Sequence, residues 1–231
     1  MNEQDLRLEV AECNRLLEYM GLIDFSGHVS ARIPGTDQVI INNYGTNRCG
    51  IKPGDLIKVN LEGKLLEGSG QPPIETPIHT SVYRARPDVF AVAHIHPPHA
   101  TALFLSGRPF LPVIFHGSIF AAGVPLYNDS RHVDTVARAD AMTKALGNAR
   151  VVAIRGHGAT VATESVKSCF FACVYLEDNC QKLLQAYQAG GSPIGLPREE
   201  IDEGQDRIWR DRQFNKIWNY YKEKSGVDLS K

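Results

Sequence analysis

The chain has 231 residues, a net charge of −1, 43% hydrophobic residues and 22% charged residues. That balance suits a soluble protein with one large domain or two small ones, and it argues against a broad basic surface for nucleic acid. No apolar run approaches a bilayer span and the start, "MNEQDLRLEV", is polar and acidic, so the expectation is a cytoplasmic protein with no signal peptide and no membrane partner.

Residues 4–20 repeat Leu6, Val10, Cys13, Leu17 and Met20 at helical spacing, and Gly21 stops that helix. "HVSARIPGTDQVIINNY" alternates around "PGTD" and predicts a hairpin; "DLIKVNLEGKLLEG" predicts a second one turning at "EGK". "TPIHTSVYRARPD" predicts a short helix ended before Pro87, "VFAVAHIH" a buried strand, and "PHATALFLSG" another helix. "DTVARADAMTKALGN" is amphipathic and stops at Gly147 and Asn148. "RVVAIRGHGATVAT" gives two short strands meeting at "GHG". A long helix then runs to Gly190 and Gly191, and residues 199–223 form a last helical region. "GGSPIGLP" is the one linker-like stretch, leading to a C-terminal arm rather than a second domain. Hairpins interleaved with helices predict one α/β domain with a largely antiparallel sheet. The five cysteines are odd in number and form no CxxC pair, which fits reduced thiols; Cys169 and Cys173, four apart on a helix, are expected in the core.

A strand carries residues i and i+2 on one face, so "AVAHIHPPHA" points His94 and His96 the same way at a strand end closed by Pro97. His157 stands at another strand end with a glycine on each side, which leaves room for an ion or a substrate. Three imidazoles and an open position describe a catalytic divalent-metal site, although an H-x-H pair alone is as readily a structural one. Glu75 precedes a helix, where a carboxylate could act as ligand, base or acid, or simply suit the helix dipole. His79, one turn later, reads as a core or solvated helix residue.

Glu75 about twenty positions before H-x-H-P, a G-H-G some sixty positions on, an early "SGHVSARI" and a final W-x-Y-Y together resemble the class II aldolase/adducin superfamily over residues 5–222. The resemblance implies a three-layer αβα fold with a central, mostly antiparallel sheet. It implies one domain over residues 1–231, with 198–231 as a C-terminal helical arm that reaches a neighbour's active site. A homotetramer or octamer with active sites at subunit boundaries is expected with it. By the same resemblance His94, His96 and His157 match metal ligands for Mn²⁺ or Zn²⁺, and Glu75 matches the catalytic acid/base. His99, beyond two prolines, is expected outside the ligand set.

The sugar-phosphate aldolases of that superfamily hold phosphate with a Gly-Asn pair, a Thr-Pro-Ser/Thr-Gly segment and a Ser-Ser pair before the Glu. This chain has Gly27-His28, "NRCG" and Pro73-Ile74 at those places. Proline donates no N–H and isoleucine has no side-chain donor, so a phosphate ester is not expected. Arg48 offers a fork suited to a carboxylate, with Gly27, His28 and Tyr220 as further substrate contacts. His116 falls near the place of a proton-donating tyrosine, beside the apolar Phe115, Ile119 and Phe120, the last two expected in the core. These departures resemble the decarboxylase branch, which acts on hydroxylated aromatic or pyridine dicarboxylates. The expected substrate is such a hydroxy-dicarboxylate, with 3-hydroxy-2-methylpyridine-4,5-dicarboxylate from vitamin B6 degradation first, and the proton comes from Glu75 or His116. Alternatives are a lyase of a non-phosphorylated hydroxy-oxo acid, an iron-dependent oxygenase, or a non-catalytic adducin-like module.

Overall fold

The computed structural model describes residues 2–230. Its first helix, α1 (Glu3–Tyr19), is capped by Asn2, whose side chain accepts the Asp5 N–H at 2.8 Å. The helix buries Leu6, Val10, Cys13 and Leu17, the stripe its periodicity predicts. Gly21 takes a positive φ of 68° just beyond its end. Both predicted hairpins form: β1 (His28–Arg32) with β2 (Gln38–Asn42), and β3 (Leu56–Asn60) with β4 (Leu65–Glu67). Helix α2 (Thr76–Ala85) leads to the buried strand β5 (Ala91–Ile95), and α3 (Pro98–Leu105) follows. A two-residue strand, β6 (Leu126–Tyr127), precedes α4 (Val136–Leu146) and the hairpin β7 (Val151–Ile154) and β8 (Gly158–Thr163). The chain closes with α5 (Val166–Gln188), α6 (Arg198–Ile208) and α7 (Asp211–Ser225).

The strands form one eight-stranded sheet in the order β4-β3-β2-β1-β5-β8-β7-β6. Neighbours are antiparallel throughout, except that the edge strand β6 runs parallel to β7. Alternation sends Val29, Ala31, Ala93 and Val161 into one core with residues of α1, α3, α5, α6 and α7. Val39, Ile41, Val92 and Val152 face the other core with α2 and α4. The result is a three-layer αβα architecture, as expected. Cys169 and Cys173 are fully buried on α5.

The C-terminal segment is helical, and one side of it packs on its own subunit. Trp218 is 2% exposed and meets Phe170 of its own α5 edge to face, with centroids 5.5 Å apart. The buried carboxylate of Glu12 on α1 accepts from Lys222 Nζ at 2.7 Å and from the Leu229 N–H at 3.1 Å. An apolar stripe on α7 and a buried charge on α1 therefore hold the arm to its own subunit. Tyr220, on the other side of α7, is 55% exposed.

Candidate active site

The site is built on the sheet's central strands. His28 on β1 pairs with His94 on β5, and His94 pairs with Thr160 on β8. His96 leaves β5 with its N–H donated to the Leu22 carbonyl at 2.7 Å. His157 sits in the three-residue turn between β7 and β8, where Gly156 takes a φ of 63°. A Cβ at Gly158 would lie 2.2 Å from the Ile95 carbonyl oxygen and 2.9 Å from His96 Cδ2. The second glycine of "GHG" thus lets the His96 ring lie across β8.

These elements bring three imidazole tips together. His94 Nε2 lies 3.2 Å from His157 Nε2 and 3.2 Å from His96 Nε2. The His94 ring stands nearly perpendicular to the other two. Nitrogens held about 2.0 Å from one ion stand roughly 3.3 Å apart in a tetrahedron, so the three fit a divalent metal. Burial pushes His94 well below the usual imidazole range and lowers His157 as well. Both rings are thereby favoured in the neutral form that ligates.

Glu75 occupies the residue before α2 but makes no side-chain cap for it. Its Oε1 accepts the Val133 N–H at 2.7 Å. Its Oε2 lies 3.5 Å from His94 Nε2 and 3.7 Å from His157 Nε2. Sequence reasoning missed a neighbour: His132 Nδ1 is 3.7 Å from Glu75 Oε1, with a side chain 77% exposed. Glu75, His132 and His157 form a second group that could hold an ion. Nothing in the local pattern of "SRHVD" marks His132, because the loop and not the spacing brings it in.

Other expected residues lie elsewhere or are otherwise engaged. Arg48 is 3% exposed, its Nε donates to the Gly27 carbonyl at 2.7 Å, and Nη1 donates to the Thr46 carbonyl. These two bonds brace the 46–50 loop against the entry to β1. The Gly27 carbonyl is thereby taken, and a Cβ there would lie 2.5 Å from Ile23 Cβ. His28 is 2% exposed and its Nδ1 lies 2.6 Å from His79 Nε2, which leaves Nε2 alone for a substrate contact. His79 is fully buried. His99 pairs with Glu177 at 2.6 Å, outside the ligand set as expected.

His116 lies in a short 3₁₀ segment, Phe115–Phe120, whose Ile119 and Phe120 are buried as expected. Its ring stacks on Tyr175 with centroids 4.2 Å apart. His116 and Tyr220 line a cavity of about 570 Å³ between α5 and α7. Neither Glu75 nor any of the three clustered histidines lines that cavity.

Comparison with known proteins gives the relationship. Residues 8–184 match the family described as Class II Aldolase and Adducin N-terminal domain. The chain belongs to that family. It is 34% identical over 211 residues to 3,4-dihydroxyphthalate decarboxylase of Arthrobacter keyseri, covering 85% of each chain. The enzyme of that name from Rhodococcus jostii is 32% identical over 213 residues, covering 85% of this chain and 87% of its own. Among solved structures, an aldolase II superfamily protein from Pseudomonas syringae superposes with a TM-score of 0.86 at 25% identity, covering 99% of this chain and 96% of its own. Family relatives named for an activity are decarboxylases and aldolases, and this chain is an enzyme of the same carbon–carbon lyase kind.

Proposed function

We propose that the chain decarboxylates a hydroxylated aromatic or pyridine dicarboxylate at a divalent metal, Mn²⁺ or Zn²⁺, held by His94, His96 and His157. The observation that carries this is the convergence of three imidazole Nε2 atoms beside Oε2 of Glu75. Relatives at 32–34% identity that decarboxylate a dihydroxyphthalate support the substrate class. The segment before Glu75 supports it too. The Pro73 carbonyl is taken by Thr76, and Ile74 is 59% exposed, so an apolar side chain stands where a phosphate would need donors.

In such a substrate the departing carboxylate lies beside a ring hydroxyl. The carboxylate leaves as CO₂, its bonding pair stays on the ring carbon, and that carbon takes one proton. A divalent ion in this site supplies Lewis acidity that lowers the cost of the negative charge on the ring. Glu75 is placed to deliver the proton from Oε2, with Oε1 fixed by Val133 so that the carboxyl does not swing freely. His132 stands between Glu75 and solvent and can return the proton that Glu75 gives up.

His116 and Tyr220 have a place in this reading only across a subunit boundary. A homotetramer or octamer would set the cavity they line against a neighbour's histidine cluster. Phe25, beside the Asp24 carboxylate that lies 3.5 Å from His96, is 85% exposed and supports such a boundary. The substrate partner is then a small hydroxy-dicarboxylate, and a cytoplasmic location goes with it.

The test is turnover of 3,4-dihydroxyphthalate and 3-hydroxy-2-methylpyridine-4,5-dicarboxylate, with Mn²⁺ and Zn²⁺ in parallel. Release of CO₂ from one of them is expected. Pyruvate from a hydroxy-oxo acid would favour the aldolase reading, and efficient cleavage of fuculose 1-phosphate would overturn the dicarboxylate one. A chain that binds metal and turns over none of these would fit an adducin-like module.

A further inference from the structure

A polar seam runs through the core between the sheet and α2. His28 and Ser30 alternate on β1 and face the same side, and His79 and Tyr83 stand one turn apart on α2. His28 Nδ1 lies 2.6 Å from His79 Nε2. Ser30 Oγ lies 2.6 Å from His79 Nδ1 and 2.8 Å from the Tyr83 hydroxyl. None of the four residues is more than 2% exposed. The Glu75 mechanism uses none of them.

The directions of these hydrogen bonds can be worked out from one end. A phenol this deeply buried keeps its proton, because burial pushes its pKa up. That proton needs an acceptor, and Ser30 Oγ at 2.8 Å supplies one. The Ser30 hydroxyl then gives its own proton to His79 Nδ1. Burial holds His79 neutral, with a pKa lowered to about 3. A neutral imidazole that accepts at Nδ1 carries its proton on Nε2, so His79 donates to His28 Nδ1. An imidazole that accepts at Nδ1 has its proton on Nε2, so His28 is an N–H donor there.

His28 Nε2 has no hydrogen-bond partner among the described residues, yet it is not one of the fully enclosed unpartnered atoms. It therefore keeps solvent contact, on a ring whose centroid is 5.1 Å from that of His94. We infer that Tyr83, Ser30 and His79 are positioning residues that fix His28 as an N–H donor at Nε2, presented to an anionic substrate oxygen beside the histidine cluster. The opposite polarity would present a lone pair, which repels a carboxylate. The substrate half of this inference rests on the decarboxylase reading. The proton's place on His28 rests on the seam alone.

The test is ¹⁵N NMR of histidine-labelled, zinc-loaded protein without substrate, with His28→Gln to assign the signals. A protonated Nε2 and a bare Nδ1 are expected on His28. Tyr83→Phe removes the one group that sets the direction, so His28 should become a mixture of tautomers. KM for the dicarboxylate should then rise, about twofold for an even mixture, because only the share of protein with the donor tautomer binds as before, with unchanged metal content. Ser30→Ala cuts the chain one link further on and should give the same pair of effects if Tyr83→Phe fails to fold. Ser30→Thr keeps the hydroxyl and should keep the wild-type tautomer. A proton on Nδ1 of wild-type His28 overturns the inference, and so does an unchanged tautomer and KM in Tyr83→Phe and Ser30→Ala. Wild-type protein with the expected tautomer that releases no CO₂ from any dicarboxylate would remove the substrate reading and leave the proton assignment standing.

Discussion

The Val133 backbone N–H donates to Glu75 Oε1 at 2.7 Å, across 58 residues of sequence. This bond decides which carboxylate oxygen faces the histidines. It also gives the substitution Glu75→Gln a clear meaning, because an amide oxygen can accept the same N–H. The variant should fold with unchanged Tm and bind metal, and turnover should fall on the order of 10²-fold for a lost general acid/base. Near wild-type turnover would take Glu75 out of the mechanism.

His94 lies on β5 and His157 in the β7–β8 turn, so an ion between them ties the strand to the turn. One divalent ion per chain is expected by elemental analysis, and none in His94→Ala/His96→Ala. Chelation should lower Tm, since a ligand at a hundred times its Kd stabilises by about 2.7 kcal/mol. Wild-type metal content in the double variant would place the ion elsewhere.

Gly158→Ala should damage the same site from below. The added methyl would sit 2.2 Å from the Ile95 carbonyl oxygen, which is backbone and cannot turn aside. A cost of roughly 1–3 kcal/mol is expected from overpacking, together with weaker metal retention as His96 is displaced. Thermal unfolding and metal titration of the variant measure the two effects separately.

The two aromatic residues of α7 should part company. Trp218→Ala empties a packed core position and should cost about 3–5 kcal/mol. Tyr220→Ala, at an exposed residue, should leave Tm unchanged and lower kcat/KM if the cavity with His116 meets a neighbour's site. Unchanged kinetics in Tyr220→Ala would remove that residue from the proposal.

His79 also predicts an acid sensitivity. Its pKa is about 3 when folded against 6.5 for an ordinary imidazole, so the unfolded chain takes up the proton first. Stability is therefore fully present above about pH 6.5 and declines as pH falls toward 3. At pH 5 the loss from this residue alone is on the order of 2 kcal/mol. Urea unfolding of wild type and His79→Gln at pH 7.5 and pH 5 checks it, the variant having the shallower decline.

Periodicity and turn residues made most elements legible, from the Leu6–Val10–Cys13–Leu17 stripe to the two hairpins. The two-residue β6 carried no pattern long enough to read, and it forms because β7 offers an open edge. The spacing of His94 and His96 and the glycines around His157 left a metal site and structural histidines both open, and it was the resemblance to the class II aldolase/adducin superfamily that joined the three. The burial of Arg48 against the carbonyls of residues 27 and 46 was not legible, because residue type reports what a side chain can bind and tertiary packing sets where it lies. His132 and the partners of His79 were invisible for the same reason: each meets its contact across more than forty residues of chain.

The seam of His28, Ser30, His79 and Tyr83 also bears on how the strands find their pairing. Were β1 to slip by one residue against β5, His28 and Ser30 would turn toward the apolar layer of α1 and α5, and Val29 and Ala31 would meet the histidine and tyrosine of α2. An all-aliphatic sheet centre would tolerate that error far better, since one buried methyl resembles another. The polar residues in this core thus act as a key for register: the misaligned sheet leaves imidazoles and hydroxyls without partners, and only the native alignment satisfies them.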